Sequence, residues 1–569
     1  EWVVSGDEAW YGIQGFFDWL EGRRYKVQAR VMIARYRRFD SCASCGGSRL
    51  RPEALAVLVG GKNLADVSQV SIGELEAWLG DLELEGSARE RGGRLLEHLR
   101  GRVSTASRVG LDYLSLERQV RTLSGGEAQR IQLATALGGA LTASLYVLDE
   151  PSVGLHPRDV GRLLDVLRAI RDQGNTVVVV EHALEIVGAA DHLIDLGPGT
   201  GRLGGEIVAE GTVSDVAGCQ ASATGRLLSG ETRLRRRHRE KPSGQVSIRG
   251  ARAHNLKGID VDVPLGQLVV VSGVSGAGKS SLVRSVLGGP RRADPERGEC
   301  HSVEGGSALR EVVIVEPTAP GRSLRSNPAT VSKAFDGIRK RFAETHEARR
   351  LGLAPGWFSF NVKGGRCEQC EGTGETVVDM QFLDDVRVPC EVCDGTRYRN
   401  EARAVTLGGR SIVDVLALSI DEAREIFAAD ASIAGKLEPF ARVGLGYLTL
   451  AQPLATLSGG ELQRMRVAQA LASRPAGTLF VLDEPTTGLH GSEVQVLLDC
   501  LDELLDAGAS VVVVEHNLDV VALADHVIDV GPEGGPGGGE LVAAGTPAEI
   551  ARAADSHTGQ ALREAGLPR

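Results

Sequence analysis

Short unbroken apolar runs recur along the chain, and each ends abruptly in glycine, acidic or histidine residues. Residues 268–271 (Leu-Val-Val-Val) run into Gly273, 145–148 into Asp149-Glu150-Pro151, and 480–482 into Asp483-Glu484-Pro485. Residues 177–180 lead to Glu181-His182, and 511–514 to Glu515-His516. Runs without polar alternation predict strands buried on both faces of a parallel sheet. Residues 177–180 and 511–514 are among the longest of them. Residues 281–287 predict a helix directly after the glycine-rich stretch, and residues 1–40 a loop followed by a helix.

The pattern is duplicated. Ser124-Gly125-Gly126-Glu127 opens a helix before the strand ending at Asp149, and Ser458-Gly459-Gly460-Glu461 does the same before Asp483. Ser458 and Ser124, Asp483 and Asp149, and His516 and His182 are each 334 positions apart. A constant offset over this distance means one unit present twice. The expected division is residues 1–230 for the first half, a linker at 231–244 and a second half at 245–569. The linker is charged, ends in Pro-Ser-Gly and reads as mobile.

Residues 273–280 spell Gly-Val-Ser-Gly-Ala-Gly-Lys-Ser between the predicted strand and helix. This is the context of a phosphate-binding loop. Gly273, Ser275, Gly276 and Gly278 let backbone N–H groups converge on an anion. Lys279 reaches the β- and γ-phosphates, and Ser280, followed by Ser281, ligates Mg²⁺. Asp483, at a strand's C-terminal end, suits Mg²⁺ directly or through water. Glu484 suits orienting and polarising the attacking water, and His516 sensing the γ-phosphate. A Ser-Gly-Gly-Glu helix start offers N–H groups and a hydroxyl to an anion; a lone copy would read as an ordinary N-cap. The first half has no counterpart of 273–280, so its phosphate loop is expected upstream of Glu1.

Six of the nine cysteines form CxxC pairs, a usage that fits metal ligation in a reducing, cytoplasmic setting. Cys367, Cys370, Cys390 and Cys393 have the spacing of a closed tetrahedral Zn²⁺ site within a module at roughly residues 356–400. An iron–sulfur cluster is the alternative, with no other redox feature beside it. Cys42 and Cys45 lack a second pair, and Cys219, Cys300 and Cys500 read as incidental. Lys363, Arg366, Arg387, Arg397 and Arg399 surround the four-cysteine set. They suit a phosphate backbone, with a structural knuckle carrying solvated arginines as the other reading. Arg23, Arg24, Lys26, Arg30, Arg35, Arg37 and Arg38 form a second basic stretch, either a solvated helix face or a nucleic-acid or partner contact. A net charge of −11 argues against polyanion binding by the whole surface. No apolar run is long enough to span a bilayer.

Taken together, these residues resemble the UvrA family of ABC ATPases. The carrying segments are 273–281, 322–330 (Arg-Ser-Leu-Arg-Ser-Asn-Pro-Ala-Thr), 358–367, 457–461 and 482–490, and the likeness extends over nearly the whole chain. The zinc module between phosphate loop and signature separates it from transporter and translation-factor relatives. The resemblance implies an α/β chain of two ABC-type P-loop NTPase halves, the first incomplete, with helical signature subdomains. The halves fold head to tail, so that Ser124, Gly125 and Gly126 close over the loop, Asp483, Glu484 and His516. A second site uses Asp149, Glu150, His182, Ser458, Gly459 and Gly460, with Glu150 and His182 in catalytic roles. ATP, Mg²⁺ and Zn²⁺ are the implied cofactors. Double-stranded DNA, a second copy of the chain and UvrB are the implied partners, with no membrane. Arg325, Lys363, Arg366 and Arg387 are the expected DNA contacts. One departure stands out: Pro317 replaces a glutamine that in the family reaches metal and water, so ATP binding with slowed hydrolysis is expected.

The function implied is DNA-damage recognition in nucleotide excision repair. Competing readings are a drug-resistance paralogue acting on drug-modified DNA, a transport or translation motor, and a degenerate interaction scaffold.

Overall fold

The alternation of side chains on the strands of the second half explains why their apolar runs are unbroken. In the computed structural model, which describes residues 2–6, 11–23, 27–36, 42–120, 123, 125–137, 143–199, 204–287, 300–315, 325–378, 386–472 and 476–567, six strands make one sheet. Their order is Glu540–Gly545, His526–Gly531, Leu268–Ser272, Ser510–Val514, Thr478–Asp483 and Glu311–Val315. All neighbours run parallel except the edge strand Glu540–Gly545. Leu268, Val270, Phe480, Leu482, Val511 and Val513 enter one core, shared with the helices Gly459–Ala472 and Gly491–Asp506. Val269, Val271, Leu479, Val481, Val512 and Val514 point the other way. They meet an antiparallel sheet of Gly244–Ala251, Ile259–Leu265 and Ser302–Glu304. Every position is covered, so none needs to be polar.

The first half repeats the strands without that second cover. Leu145–Asp149 pairs in parallel with Thr176–Val180, and Leu193–Gly197 pairs antiparallel with Glu206–Gly211. Val178 and Val180 are 46% and 50% exposed, which corrects the expectation that 177–180 is buried on both faces. The reason is geometric. Their equivalents 334 positions on, Val512 and Val514, lie under the antiparallel sheet, and among the described residues the first half has no such layer. Leu145, Val147, Ile194 and Leu196 are exposed on the same grounds. The opposite face is covered by the helix Pro157–Asp172, whose Leu163, Val166 and Ile170 are buried.

The linker is not mobile in character. Arg236 has a fully buried side chain that bonds Asp502 at 3.0 Å and Asp525 at 2.8 Å, and Arg239 bonds Asp502 and Asp506. Pro/Ser/Gly composition suggested freedom, but Arg236 and Arg239 here find carboxylates of the second half, of which Asp525 is fully buried.

Residues 1–70 form a separate small unit. Its helices Gly12–Glu21 and Val27–Tyr36 bury Leu20, Ala29 and Ile33 against Phe16 and Phe17. Helix therefore begins earlier than the loop-then-helix expectation. Arg23 stacks on Trp19; Arg24, Lys26, Arg37 and Arg38 lie outside the described residues. No helix among the described residues is long and apolar enough to cross a membrane.

Candidate functional site

The strand Leu268–Ser272 delivers the chain into the glycine-rich loop, and a helix leaves it over Ser281–Leu287 in π form. A side chain at Gly273 would meet the Val530 carbonyl at 1.9 Å, and its φ is +132°, so only glycine fits. Lys279 is buried. Its ammonium donates to the carbonyls of Gly273 at 2.9 Å and Val274 at 2.8 Å, and burial pulls its pKa down to about 8. Asp483 and Glu484 stand at the end of the next strand but one, Thr478–Asp483, beyond Ser510–Val514. Asp483 is bonded by Arg284 from the helix after the loop, and Gln463 donates to its carbonyl at 2.6 Å. Glu484 sits at φ +48°, a region that costs a non-glycine residue energy and persists only when its surroundings enforce it. Burial, then Asp483 and Glu515, push its carboxyl up to about 7. His516 Nε2 lies 4.0 Å from Glu484. Burial holds His516 well below the usual histidine range, so the ring is neutral, and its Nδ1 is buried without a partner.

The first half closes this cleft. Ser275 Oγ donates to the Gly154 carbonyl at 3.0 Å, and a Cβ on Gly154 would stand 3.4 Å from Glu484. Tyr113 lies against Gly276 and bonds Glu127 at 2.6 Å. A cavity of roughly 260 Å³ between the halves is lined by Tyr113, Asp159, Ser275 and Glu533, among others. The reciprocal contact exists: a Cβ on Gly488 would stand 3.0 Å from Glu150. Glu150 repeats the strained φ, at +45°, with its carboxyl raised by burial and His182 Nε2 at 3.7 Å. Each half thus presents its post-strand loop to the acidic strand end of the other.

The helix Gly125–Leu137 places Gly126 where a Cβ would meet the Val153 carbonyl at 2.4 Å, and Gly460 stands likewise against Thr487 at 2.7 Å. Both glycines therefore admit their own half's loop. Ser458 Oγ accepts from the Glu461 N–H at 3.2 Å, the N-cap arrangement. Ser124 lies outside the described residues, as does Pro317. Gly278, Ser280 and Ser281 lie at the loop-to-helix turn; Gly459 begins its helix, and a Cβ added there would meet nothing within 4 Å.

Arg284, Tyr113 and Arg130 were missed by sequence reasoning. The repeat held a signal for two of them. Tyr113, Glu127 and Arg130 recur 334 residues later as Tyr447, Glu461 and Arg464, with Tyr447 bonding Glu461 at 2.5 Å. Arg284 carries no sequence signal.

Cys367, Cys370, Cys390 and Cys393 are buried together, with all ligand atoms within 4.8 Å. Cys367 and Cys390 sulfurs are 4.0 Å apart, and those of Cys370 and Cys393 are 3.7 Å apart. Four thiolates at Zn–S bonds of about 2.3 Å stand roughly 3.8 Å from one another, so the donor set fits Zn²⁺. None of the nine cysteines is in a disulfide. The antiparallel pair Glu375–Val378 and Val386–Pro389 joins the two CxxC knuckles, and Tyr398 anchors them through a bond to the Phe358 carbonyl at 3.0 Å. Most of the surrounding basic residues are paired with acids, although Arg325, Arg387 and Arg399 stay partly exposed to solvent. Arg325 and Arg366 face Glu371 at 3.7 and 3.9 Å, Arg387 faces Glu375 at 3.7 Å, and Arg399 faces Glu368 at 3.5 Å. Arg397 lies over Phe360, and Lys363 is exposed. Cys42 and Cys45 belong to the separate unit 1–70 and are not part of the cluster.

A scan against protein-family models finds no match. The chain is 48% identical over 575 residues to UvrABC system protein A of Aquifex aeolicus, covering 99% of this chain and 62% of that protein. It is 47% identical over 543 residues to UvrABC system protein A of Staphylococcus aureus, covering 94% and 57%. The chain therefore spans about three fifths of these curated relatives. The crystal structure of UvrA2 from Deinococcus radiodurans superposes with a TM-score of 0.89 at 40% identity, covering 97% of this chain and 69% of that one. The duplicated sheets, the phosphate loop closed by the other half, and the four-thiol knuckle have the arrangement and sequence of one family: this chain belongs to the UvrA family.

Proposed function

We propose that the chain hydrolyses ATP in the cleft between its halves and uses the cycle to recognise damaged double-stranded DNA in nucleotide excision repair. The observation that carries this reading is the closure of the phosphate loop by the first half: Gly154 touches both Ser275 and the neighbourhood of Glu484. A cleft shared by two halves lets nucleotide turnover change how the halves meet.

Lys279 and the loop N–H groups bind the phosphates; Ser280 would hold Mg²⁺, together with Asp483 once its carboxylate is free of Arg284. Mg²⁺ supplies charge neutralisation at the phosphoryl group. Glu484 takes the proton of the attacking water, and neutral His516 beside it orients the reacting group. Gly125 and Gly126, with Ser124, close the cleft from the first half. Glu150, His182, Asp149 and the start at Ser458, Gly459 and Gly460 serve a second site. Zn²⁺ holds the thiol knuckle, and Arg325, Lys363, Arg366 and Arg387 face the DNA backbone. The partners are duplex DNA, a second copy of the chain and UvrB, in the cytoplasm.

Lys279→Ala and Glu484→Gln test the reading. The first abolishes ATP binding, and the second keeps binding but abolishes turnover. Turnover retained by either variant rejects the assigned site.

A further inference from the structure

We infer that His156 of the first half is a positioning residue for the phosphate loop of the second, acting through a hydrogen-bonded latch that His490 reproduces in the opposite direction. This inference rests on the nucleotide-site reading above, although its contacts stand without it.

The latch follows from donor and acceptor bookkeeping. His156 caps the helix Pro157–Asp172: its Nδ1 accepts from the Arg158 N–H at 3.2 Å. With Nδ1 accepting, the neutral ring carries its proton on Nε2. Nε2 lies 3.3 Å from Thr558 Oγ1, a residue of the second half 402 positions away. Thr558 donates to Asp529 Oδ1 at 2.8 Å, so towards His156 it acts as acceptor. Ser272, the last strand residue before Gly273, lies 3.3 Å from the same hydroxyl and donates to it. Ser556 donates to the other Asp529 oxygen at 2.6 Å. Thr558 is thus saturated, joining the first half, Asp529 and the base of the phosphate loop. All five side chains, His156, Ser272, Asp529, Ser556 and Thr558, are buried. The His156 ring also meets the His516 ring edge to face at 6.0 Å, so the same residue borders the loop and the histidine next to Glu484.

The second copy repeats the arrangement. His490, Asp195, Ser222 and Thr224 are the 334-residue counterparts of His156, Asp529, Ser556 and Thr558. His490 Nε2 lies 3.4 Å from Thr224 Oγ1, and Thr224 and Ser222 donate to Asp195 at 2.7 and 2.6 Å. Its Nδ1 accepts from the Ser492 N–H at 3.3 Å. Each histidine reaches across to the other half, and neither bonds the Ser/Thr/Asp group of its own. The pair therefore ties the loop following each acidic strand end to the opposite half.

The chemistry offers a clean probe. His156→Asn keeps a good helix cap but is too short to reach Thr558; Thr558→Val removes the hydroxyl at nearly constant volume, and Thr558→Ser restores it. Hydrogen–deuterium exchange of the nucleotide-free chain should rise about tenfold at residues 268–280 in His156→Asn and Thr558→Val, with residues 157–172 unchanged. ATP kcat should fall about tenfold in both, with KM within about twofold of the parent, no further loss in the double variant, and recovery in Thr558→Ser. Unchanged exchange at 268–280 overturns the latch. Raised exchange with an unaltered kcat overturns the positioning role. If Lys279→Ala still binds ATP, the nucleotide-site reading fails, and the exchange comparison still decides the latch.

Discussion

At the residue scale, the roles proposed for two titrating groups set the pH range expected of the cleft. Glu484 must be ionised to accept a proton, and its carboxyl stands at about 7. Lys279 must be protonated to hold phosphate, and its ammonium stands at about 8. The value of kcat/KM should therefore rise through pH 7 and fall through pH 8, a narrow bell measurable by ATP turnover at low substrate. A profile flat from about pH 6 to 9 removes these assignments. For stability the raised carboxyl has a definite sign. The folded chain keeps a proton that the unfolded chain releases above 4.5, so this group costs stability as pH climbs from 4.5 to about 7. Gly276 raises a separate issue. Its φ is +76°, and a Cβ would lie 2.6 Å from the Tyr113 ring. Gly276→Ala should weaken ATP binding about tenfold, through about 1–2 kcal/mol of backbone strain and the ring clash. Adding Tyr113→Ala should recover only part, since the dihedral penalty remains; full recovery in a nucleotide titration would show that the dihedral contributes nothing.

At the element scale, the linker is held by a buried ion group, and this is where breaking one partner costs most. Arg236→Ala leaves Asp525 buried, and the same carboxylate also receives N–H groups of Leu268 and Arg239 at 2.8 and 2.7 Å. The expected loss is about 3–5 kcal/mol in denaturant unfolding of the second half. A shift below about 1 kcal/mol would mean that the pair is replaceable. The proposed Zn²⁺ gives the knuckle a similar test: Cys393→Ser should lower bound zinc well below about one per chain and loosen the Tyr398 anchor, as read by metal analysis and exchange. The sheet strands of the second half were legible because burial on both faces leaves unbroken apolar runs. Identical runs in the first half misled, because 177–180 carries the composition of a covered strand while Val178 and Val180 are bare here. The phosphate loop, the strand-end acids and the four thiols were legible from spacing. Arg284 on Asp483 and Tyr113 on Gly276 were not, since both depend on how separate segments meet in space.

At the scale of the whole molecule, the proposed function requires a chain of net charge −11 to bind a polyanion locally, and the candidate surface around the knuckle is partly self-neutralised. Glu371 faces both Arg325 and Arg366, while Lys363 is exposed. Phosphates must therefore compete with Glu371 for two of the four expected contacts. This gives opposite signs for two neighbouring substitutions. Lys363→Ala should weaken duplex binding and make the slope of log K against log salt shallower by about 0.9, the share of one phosphate contact. Glu371→Gln should strengthen binding and steepen the slope, because each arginine it releases can displace a counterion. Fluorescence anisotropy with one duplex across a salt series measures both. If Glu371→Gln weakens binding instead, the acid is holding the arginines in a DNA-competent pose rather than masking them. If neither variant moves the slope, the zinc knuckle does not touch the backbone, and the DNA surface lies elsewhere on the chain.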